Sequence, residues 1–323
     1  MTPISLEKHH AAARALLQEL HLTEVEQLRP KVSGHGSSLP LVAKNDAGRQ
    51  FLLKYYLPPA ADKVLPFGVR AEDYSRRESG FYRLLDSIDP ARREFPAPHT
   101  IAVGPGDPAP WLLLEWLPAA PGPREEVISQ DHVIKLLRQA SSLPTDRLMG
   151  RRGFPLEHWD PVGYLDRIRN MYDAVLFSIG EDRWRNLQRF FGEAVRWTDS
   201  RPHVMVHGDF QEANIIVTEE DRSSLVDFEC VGSGNPDHDF AWYWIHSDRH
   251  PEWKRSLLRR WLGDHVGGDR IRSEWGIRSA IAYIATCRLR WEYLTHGDEA
   301  PRLSANLALL DAALEGGTAL FPL

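Results

Sequence analysis

The chain has 323 residues, 42% of them apolar and 26% charged, with a formal net charge of −6. That is length enough for two lobes and a substantial core, in the proportions of a soluble globular protein, and the acidic balance gives no basic footprint for nucleic acid. Two cysteines, Cys230 and Cys287, supply neither a disulfide framework nor a metal-ligand spacing.

The N-terminal stretch has a helix-like apolar pattern that carries His9, His10, Arg14 and Glu19, so it lacks the hydrophobic core of a signal peptide. No uncharged run reaches membrane-spanning length, and a cytoplasmic protein with no membrane partner is expected. Val32 to Ser38 is a Gly/Ser turn between apolar stretches, where Gly34, Gly36 and Ser37 can bring backbone N–H groups to an anion; an ordinary turn would look the same. Leu39 to Ala43 follows, with Pro40 arguing for an edge or irregular strand. Phe51 to Tyr56 is a buried strand interrupted by Lys54, which must snorkel or find an anion. Ser75 to Leu85 predicts a helix with Phe81, Leu84 and Leu85 inward and offers Glu78 as the partner of that lysine, with Glu72 as second choice.

Trp111 to Leu117 is a second buried strand. It stops at Pro118, and Pro121, Gly122 and Pro123 follow, the pattern of a hinge between lobes and equally of a core strand entering a loop. Helices are predicted over 131–140, 159–179 and 184–197. Val204 to Val206 then forms a short strand ending at His207, and Asn214 to Val217 and Ser224 to Val226 form two more around an acidic turn of Glu219, Glu220 and Asp221. That fold-back puts Asn214 and Asp227 near neighbouring strand ends.

His207-Gly208-Asp209, then Asn214, then Asp227-Phe228-Glu229 is the constellation that specifies a reaction. In phosphoryl transfer from a nucleotide triphosphate, a loop Asp takes the hydroxyl proton, an Asn five residues on and an Asp ahead of Phe hold magnesium, and a strand Lys paired with a helix Glu meets the phosphates. Asp209, Asn214, Asp227, Lys54 and Glu78 fill those places. Single Asp and Asn residues in loops are ordinarily caps and turns, so the weight lies on the fixed spacing and the flanking apolar strands.

HGDFQEANIIV, followed by LVDFE and NPDHDFAWYW, resembles the aminoglycoside phosphotransferase and choline kinase family of small-molecule kinases. The resemblance implies an α+β, bilobal protein-kinase-like fold: a small N-terminal antiparallel-sheet lobe over 1–117 that binds nucleotide, and a larger, mainly helical lobe over 118–323 for catalysis and substrate. It implies Asp209 as catalytic base, Asn214 and Asp227 as magnesium ligands, Asp239 with His207 as supports of the catalytic loop, and the backbone of Glu115 and Leu117 against the adenine edge. ATP or GTP is the implied co-substrate and Mg2+ the implied cofactor.

Departures from the protein-kinase pattern narrow the acceptor. Gly208 replaces the Arg that can meet a phosphorylated activation loop, Glu229 stands where Asp-Phe-Gly has its Gly, and the chain reaches Asp239 within about ten residues, leaving no room for a long activation loop. A small-molecule hydroxyl is therefore expected, on an aminoglycoside or another cationic antibiotic or amino alcohol. The motive is the acidic set Glu212, Glu229 and Asp237, with aromatics such as Trp242, Trp275 and Tyr283 forming either a cation cage or plain core. Arg288 and Arg290 would suit an anionic acceptor instead. A nucleotide-binding pseudokinase and a protein kinase are the alternatives, opposed respectively by the retained Asp209, Asn214, Asp227 and Lys54 and by the missing activation segment.

Overall fold

The computed structural model describes residues 3–316 apart from 29–30, 34–35, 58–70, 93, 105–109, 144, 146–156, 264 and 298–300. Helix α1 (Pro3–Glu19) precedes an antiparallel sheet in the order β1 (Thr23–Gln27), β3 (Gly36–Lys44), β4 (Gln50–Tyr56), β6 (Trp111–Glu115), β5 (Thr100–Gly104), with β2 (Lys31–Ser33) also on β3. Helix α2 (Ala71–Ile88) lies between β4 and β5 in sequence. Side chains of a strand alternate between faces. Phe51, Leu53 and Tyr55 of β4 accordingly pack with Ala13 and Leu17 of α1, while Tyr56 faces the core that holds Phe81, Tyr82 and Leu85 of α2. Lys54 takes the same face as Tyr56, and the period of two therefore aims it at α2.

Pro40 is not on an edge strand. β3 pairs on both sides, and Pro40 sits opposite Lys54. Its carbonyl accepts from Leu28 N–H at 3.2 Å, so its missing N–H falls on the side where β1 has ended and β2 begins, and no ladder bond to β4 is lost. β2 and β3 form a hairpin with Ser33 opposite Gly36. Gly34 lies outside the described residues, and Gly36 and Ser37 open β3.

The remainder is mostly helical: α3 (Arg124–Val127), α4 (Gln130–Ser142), α5 (Pro161–Asn170), α6 (Tyr172–Ile179), α7 (Glu181–Thr198), α8 (Asp237–His246), α9 (Pro251–Gly263), α10 (Gly268–His296) and α11 (Leu303–Glu315). The single helix expected over 159–179 is three pieces. Trp159 belongs to strand β7 (Glu157–Trp159); Asp160 caps α5, its Oδ1 accepting from Gly163 N–H at 2.8 Å, with Pro161 in the first turn; and the helix breaks at Met171. Ile168, Met171, Val175 and Ile179 are all buried at spacings of three and four, so the apolar period runs on through the break and gives no sign of it.

α10 is the axis of this part, with Ile277, Ile281, Ile284 and Leu289 buried against its neighbours. One core runs from Leu112 and Leu114 of the sheet to Val206, Phe210 and Leu225 around the short strands β8 (Val204–Val206), β9 (Ile215–Val217) and β10 (Ser223–Leu225). Strand β11 (Gly232–Gly234) joins β8 to β7. No described helix is long and apolar enough to cross a membrane.

Candidate active site

Three segments distant in sequence meet at Lys54. Its Nζ lies 2.6 Å from Glu78 Oε2 on α2, 2.6 Å from Asp227 Oδ1 and 2.7 Å from Glu229 Oε1. Tyr56, two residues along the same strand face, donates its O–H to Glu78, and Glu78 Oε1 accepts the Phe228 N–H at 3.2 Å. Phe228 is buried among the rings of Phe81, Tyr82, Phe95 and His207. Arg77, next to Glu78 and 1% exposed, donates to the carbonyl of Glu229 at 3.1 Å and to Glu157 at 2.9 Å, so α2 is tied to the larger part of the molecule by adjacent residues. Asp227 holds φ 72°, ψ 63°, a left-handed conformation that costs a non-glycine residue on the order of 1 kcal/mol and persists only where its surroundings dictate it.

This cluster is electrostatically unbalanced. Burial alone would lower the Lys54 ammonium, but Asp227, Glu229 and Glu78 outweigh it and raise the group well above the usual lysine range. Burial pushes the Glu78 carboxyl up to about 7 against the pull of Lys54. Oxygens of Glu78, Asp227 and Glu229 lie within 4.8 Å of one another, three carboxylates around one ammonium. An all-oxygen donor set with surplus negative charge fits a hard divalent cation such as magnesium.

The loop of His207, Gly208 and Asp209 is held from below. Asp239, 2% exposed on α8, accepts the backbone N–H groups of His207 at 2.7 Å and Gly208 at 2.9 Å. Its burial raises its carboxyl to about 7, and the two N–H groups limit the rise. His207 reaches Val226 O through Nε2 at 3.0 Å and receives Asp209 N–H at Nδ1, so it joins this loop to the strand leading into Asp227. Gly208 has φ +79°, and a Cβ there would stand 2.3 Å from Cys230 O; no arginine fits.

The side chains of Asn214, Trp242 and Gln211 donate to the Asp209 carboxylate among the described residues. Asn214 Nδ2 is 2.9 Å from Oδ2, Trp242 Nε1 is 3.0 Å from Oδ1, and Gln211 Nε2 is 2.9 and 3.0 Å from the two oxygens. Asn214 lies in a 3-10 turn, Glu212–Asn214, and its carbonyl accepts Val226 N–H at 3.0 Å, beside Asp227. Glu115 ends β6 with its N–H on His99 O at 2.9 Å, and Leu117 follows where the sheet stops.

The acidic set read as a cation trap is distributed differently. Asp237 is 0% exposed and bound by Arg201, Trp261 Nε1 at 2.9 Å and Ser273, so it faces no cleft. Glu229 belongs with Lys54. Glu212 alone lines a cavity, of about 700 Å³, that includes Gln211, Arg124, Glu125, Asp248 and Arg249, and its carboxylate is taken by Arg249 Nε at 2.7 Å, Tyr243 O–H at 2.9 Å and Ser247 O–H at 3.1 Å. Tyr283 and Trp242 are buried core residues. Arg290 is likewise buried, and burial lowers the Arg288 guanidinium.

Tyr56, Arg77 and Gln211 went unread in the sequence, and Trp242 was expected as a cation cage or core and not as a donor to Asp209. Two had a signal: Tyr56 shares the strand face of Lys54, and Trp242 stands three residues from Asp239 on one helix face, with an indole N–H that needs a partner when buried.

A family profile described as "Phosphotransferase enzyme family" matches residues 34–275. Among solved structures, a thermostable mutant of aminoglycoside phosphotransferase APH(4)-Ia in ternary complex with ADP and hygromycin B superposes with a TM-score of 0.61 at 13% identity, covering 94% of this chain and 98% of that one. A choline/ethanolamine kinase family protein from Mesorhizobium loti gives 0.60 at 16% identity, covering 97% and 99%. Macrolide 2'-phosphotransferase type I gives 0.58 at 17%, covering 95% of each chain. No curated protein matches in sequence. The fold is thus the bilobal, protein-kinase-like α+β fold that the motifs imply.

Proposed function

The chain belongs to the phosphotransferase enzyme family, and on that premise we propose that it transfers the γ-phosphoryl group of ATP or GTP to a hydroxyl of a small molecule. The observation that carries this is the meeting of Lys54, Glu78, Asp227 and Glu229 within ion-pair distance, beside an Asp209 that Asn214 and Trp242 hold in place.

Asp209 accepts the proton of the acceptor hydroxyl as its oxygen bonds to the γ-phosphorus. The bond from that phosphorus to the leaving β-phosphate oxygen breaks, and its electron pair departs with the nucleotide diphosphate. Lys54, oriented by Glu78, neutralises the α- and β-phosphates. Asn214, Asp227 and Glu229 would hold magnesium, which supplies charge neutralisation for the phosphate oxygens when bound. Gly36 and Ser37, at the start of β3, cover the phosphates, and the backbone of Glu115 and Leu117 meets the base. The division into a nucleotide lobe over 1–117 and a catalytic lobe over 118–323 belongs to the same reading.

The acceptor occupies the cavity walled by Gln211 and Glu212. A cationic acceptor, an aminoglycoside or amino alcohol, is the finer form; its support is now Glu125, Glu212 and Asp248 against Arg124 and Arg249 on that wall. A protein substrate is disfavoured because the chain passes from Asp227 through a 3-10 turn and β11 into α8 by Asp237. ADP release from Mg-ATP, and GDP release from Mg-GTP, is to be measured against amino sugars, choline, other amino alcohols and neutral sugars. Stimulation by one class supports the proposal; tight nucleotide binding with no turnover on any of them favours the pseudokinase reading.

A further inference from the structure

Within the proposed transfer reaction, on which this inference rests, we propose that Gln211 is the residue that discriminates the acceptor hydroxyl from water. The three donors on Asp209 are not alike. Asn214 is 4% exposed and Trp242 6%, so both fix the carboxylate from buried positions. Gln211 is only half-buried and lines the acceptor cavity. A carboxylate is an acceptor only, so the NH2 end of the Gln211 amide faces it and spans both oxygens.

The backbone of Gln211 is anchored independently of its side chain, which Asp209 holds. Its carbonyl accepts Asn214 N–H at 2.9 Å at the start of the 3-10 turn, so rotation about the side-chain bonds moves the amide without disturbing the turn. In the resting arrangement the amide covers both oxygens of Asp209 from the cavity wall to which Gln211 belongs. A water molecule can replace that contact only with its own O–H groups and makes no further contacts that would offset displacing the amide. A larger acceptor has contacts elsewhere in the cavity, and these offset the displacement of the amide. The side reaction being suppressed is hydrolysis: water oxygen bonds to the γ-phosphorus, its proton passes to Asp209, and the nucleotide diphosphate leaves with the electron pair of the broken P–O bond.

The test is phosphate release from Mg-ATP with no acceptor present, for Gln211→Ala and Gln211→Glu. The first removes the amide; the second keeps its size but sets a carboxylate against a carboxylate, which turns the side chain away. Both are expected to raise acceptor-independent hydrolysis several-fold over the wild type, and adding Asp209→Asn should abolish the gain. Hydrolysis unchanged or slower in a variant that melts within a few degrees of the wild type would overturn the assignment, and if one variant does not fold the other decides. A wild type that neither hydrolyses nor transfers from ATP or GTP, seen before any variant is made, would instead remove the proposed function.

Discussion

The two ends of the site are built on opposite principles. At the proposed nucleotide end, Lys54, Glu78 and Glu229 are nearly closed to solvent and hold one another in a network of ion pairs, with Asp227 strained into place beside them. At the proposed acceptor end, an open cavity is walled by exposed Arg124, Glu125 and Asp248, and its carboxylate Glu212 is neutralised by Arg249. Charges in the first place are few, largely desolvated and mutually paired; those in the second are mostly solvated and exchangeable. A phosphoryl group makes the same demands whatever it is transferred to, whereas a wall of solvated charges can be altered without disturbing the fold.

Substitutions should therefore have large effects at one end and small ones at the other. The largest is expected for Asp227→Ala, which should eliminate magnesium-dependent turnover, while Asn214→Ala should raise the magnesium concentration needed for half-maximal rate. Magnesium titrations of nucleotide turnover check both, and unchanged dependence in each would erase the distinction at its stronger end.

Removing the ammonium should cost folding stability as well as activity. Lys54→Met leaves buried Glu78 and Glu229 and the less buried Asp227 without their common partner and should destabilise the protein by about 3–5 kcal/mol, the usual cost of stranding a buried charge. Denaturant midpoints measure it. The loss should shrink when Glu78→Gln is added, because one stranded charge is then gone.

A third, smaller effect is a pH dependence of the nucleotide-free protein. Burial raises the Glu78 carboxyl from the ordinary range near 4.5 to about 7. Between those values the folded state binds a proton that the unfolded state has lost, so this group's contribution is greatest in acid and is lost as pH rises through about 7. Asp239, raised to about 7 by burial, acts in the same direction. Melts at pH 5 and pH 8 should show the wild type losing stability with rising pH and Glu78→Gln losing distinctly less; identical slopes would contradict the assignment.

The smallest effects belong to the acceptor wall. Glu125→Gln with Asp248→Asn should change the acceptor KM only a few-fold, and less at high salt, while leaving the KM for nucleotide in place. An equal change in both would blur the two ends into one.

The same contrast explains what could be read from the chain. Lys54 was legible because a charge inside the run from Phe51 to Tyr56 needs an anion, and Asp209, Asn214 and Asp227 because short apolar strands fix their spacing. Glu212, Glu229 and Asp237 were misgrouped because their partners Arg249, Lys54 and Arg201 come from far along the chain, and charge balance is a property of the fold. The break at Met171 was hidden because apolar period counts faces and not hydrogen bonds, although Asp160-Pro161 did mark the true helix start.

The central claim is that Asp209 acts on the acceptor while the Lys54 cluster holds the nucleotide. Once an acceptor is found, turnover and nucleotide affinity of Asp209→Asn test it together. The account predicts a fall in kcat of roughly 10²–10⁴ with nucleotide affinity essentially unchanged, the amount a positioned base contributes. Near-normal turnover, or a loss of nucleotide binding that accounts for the whole effect, would contradict it.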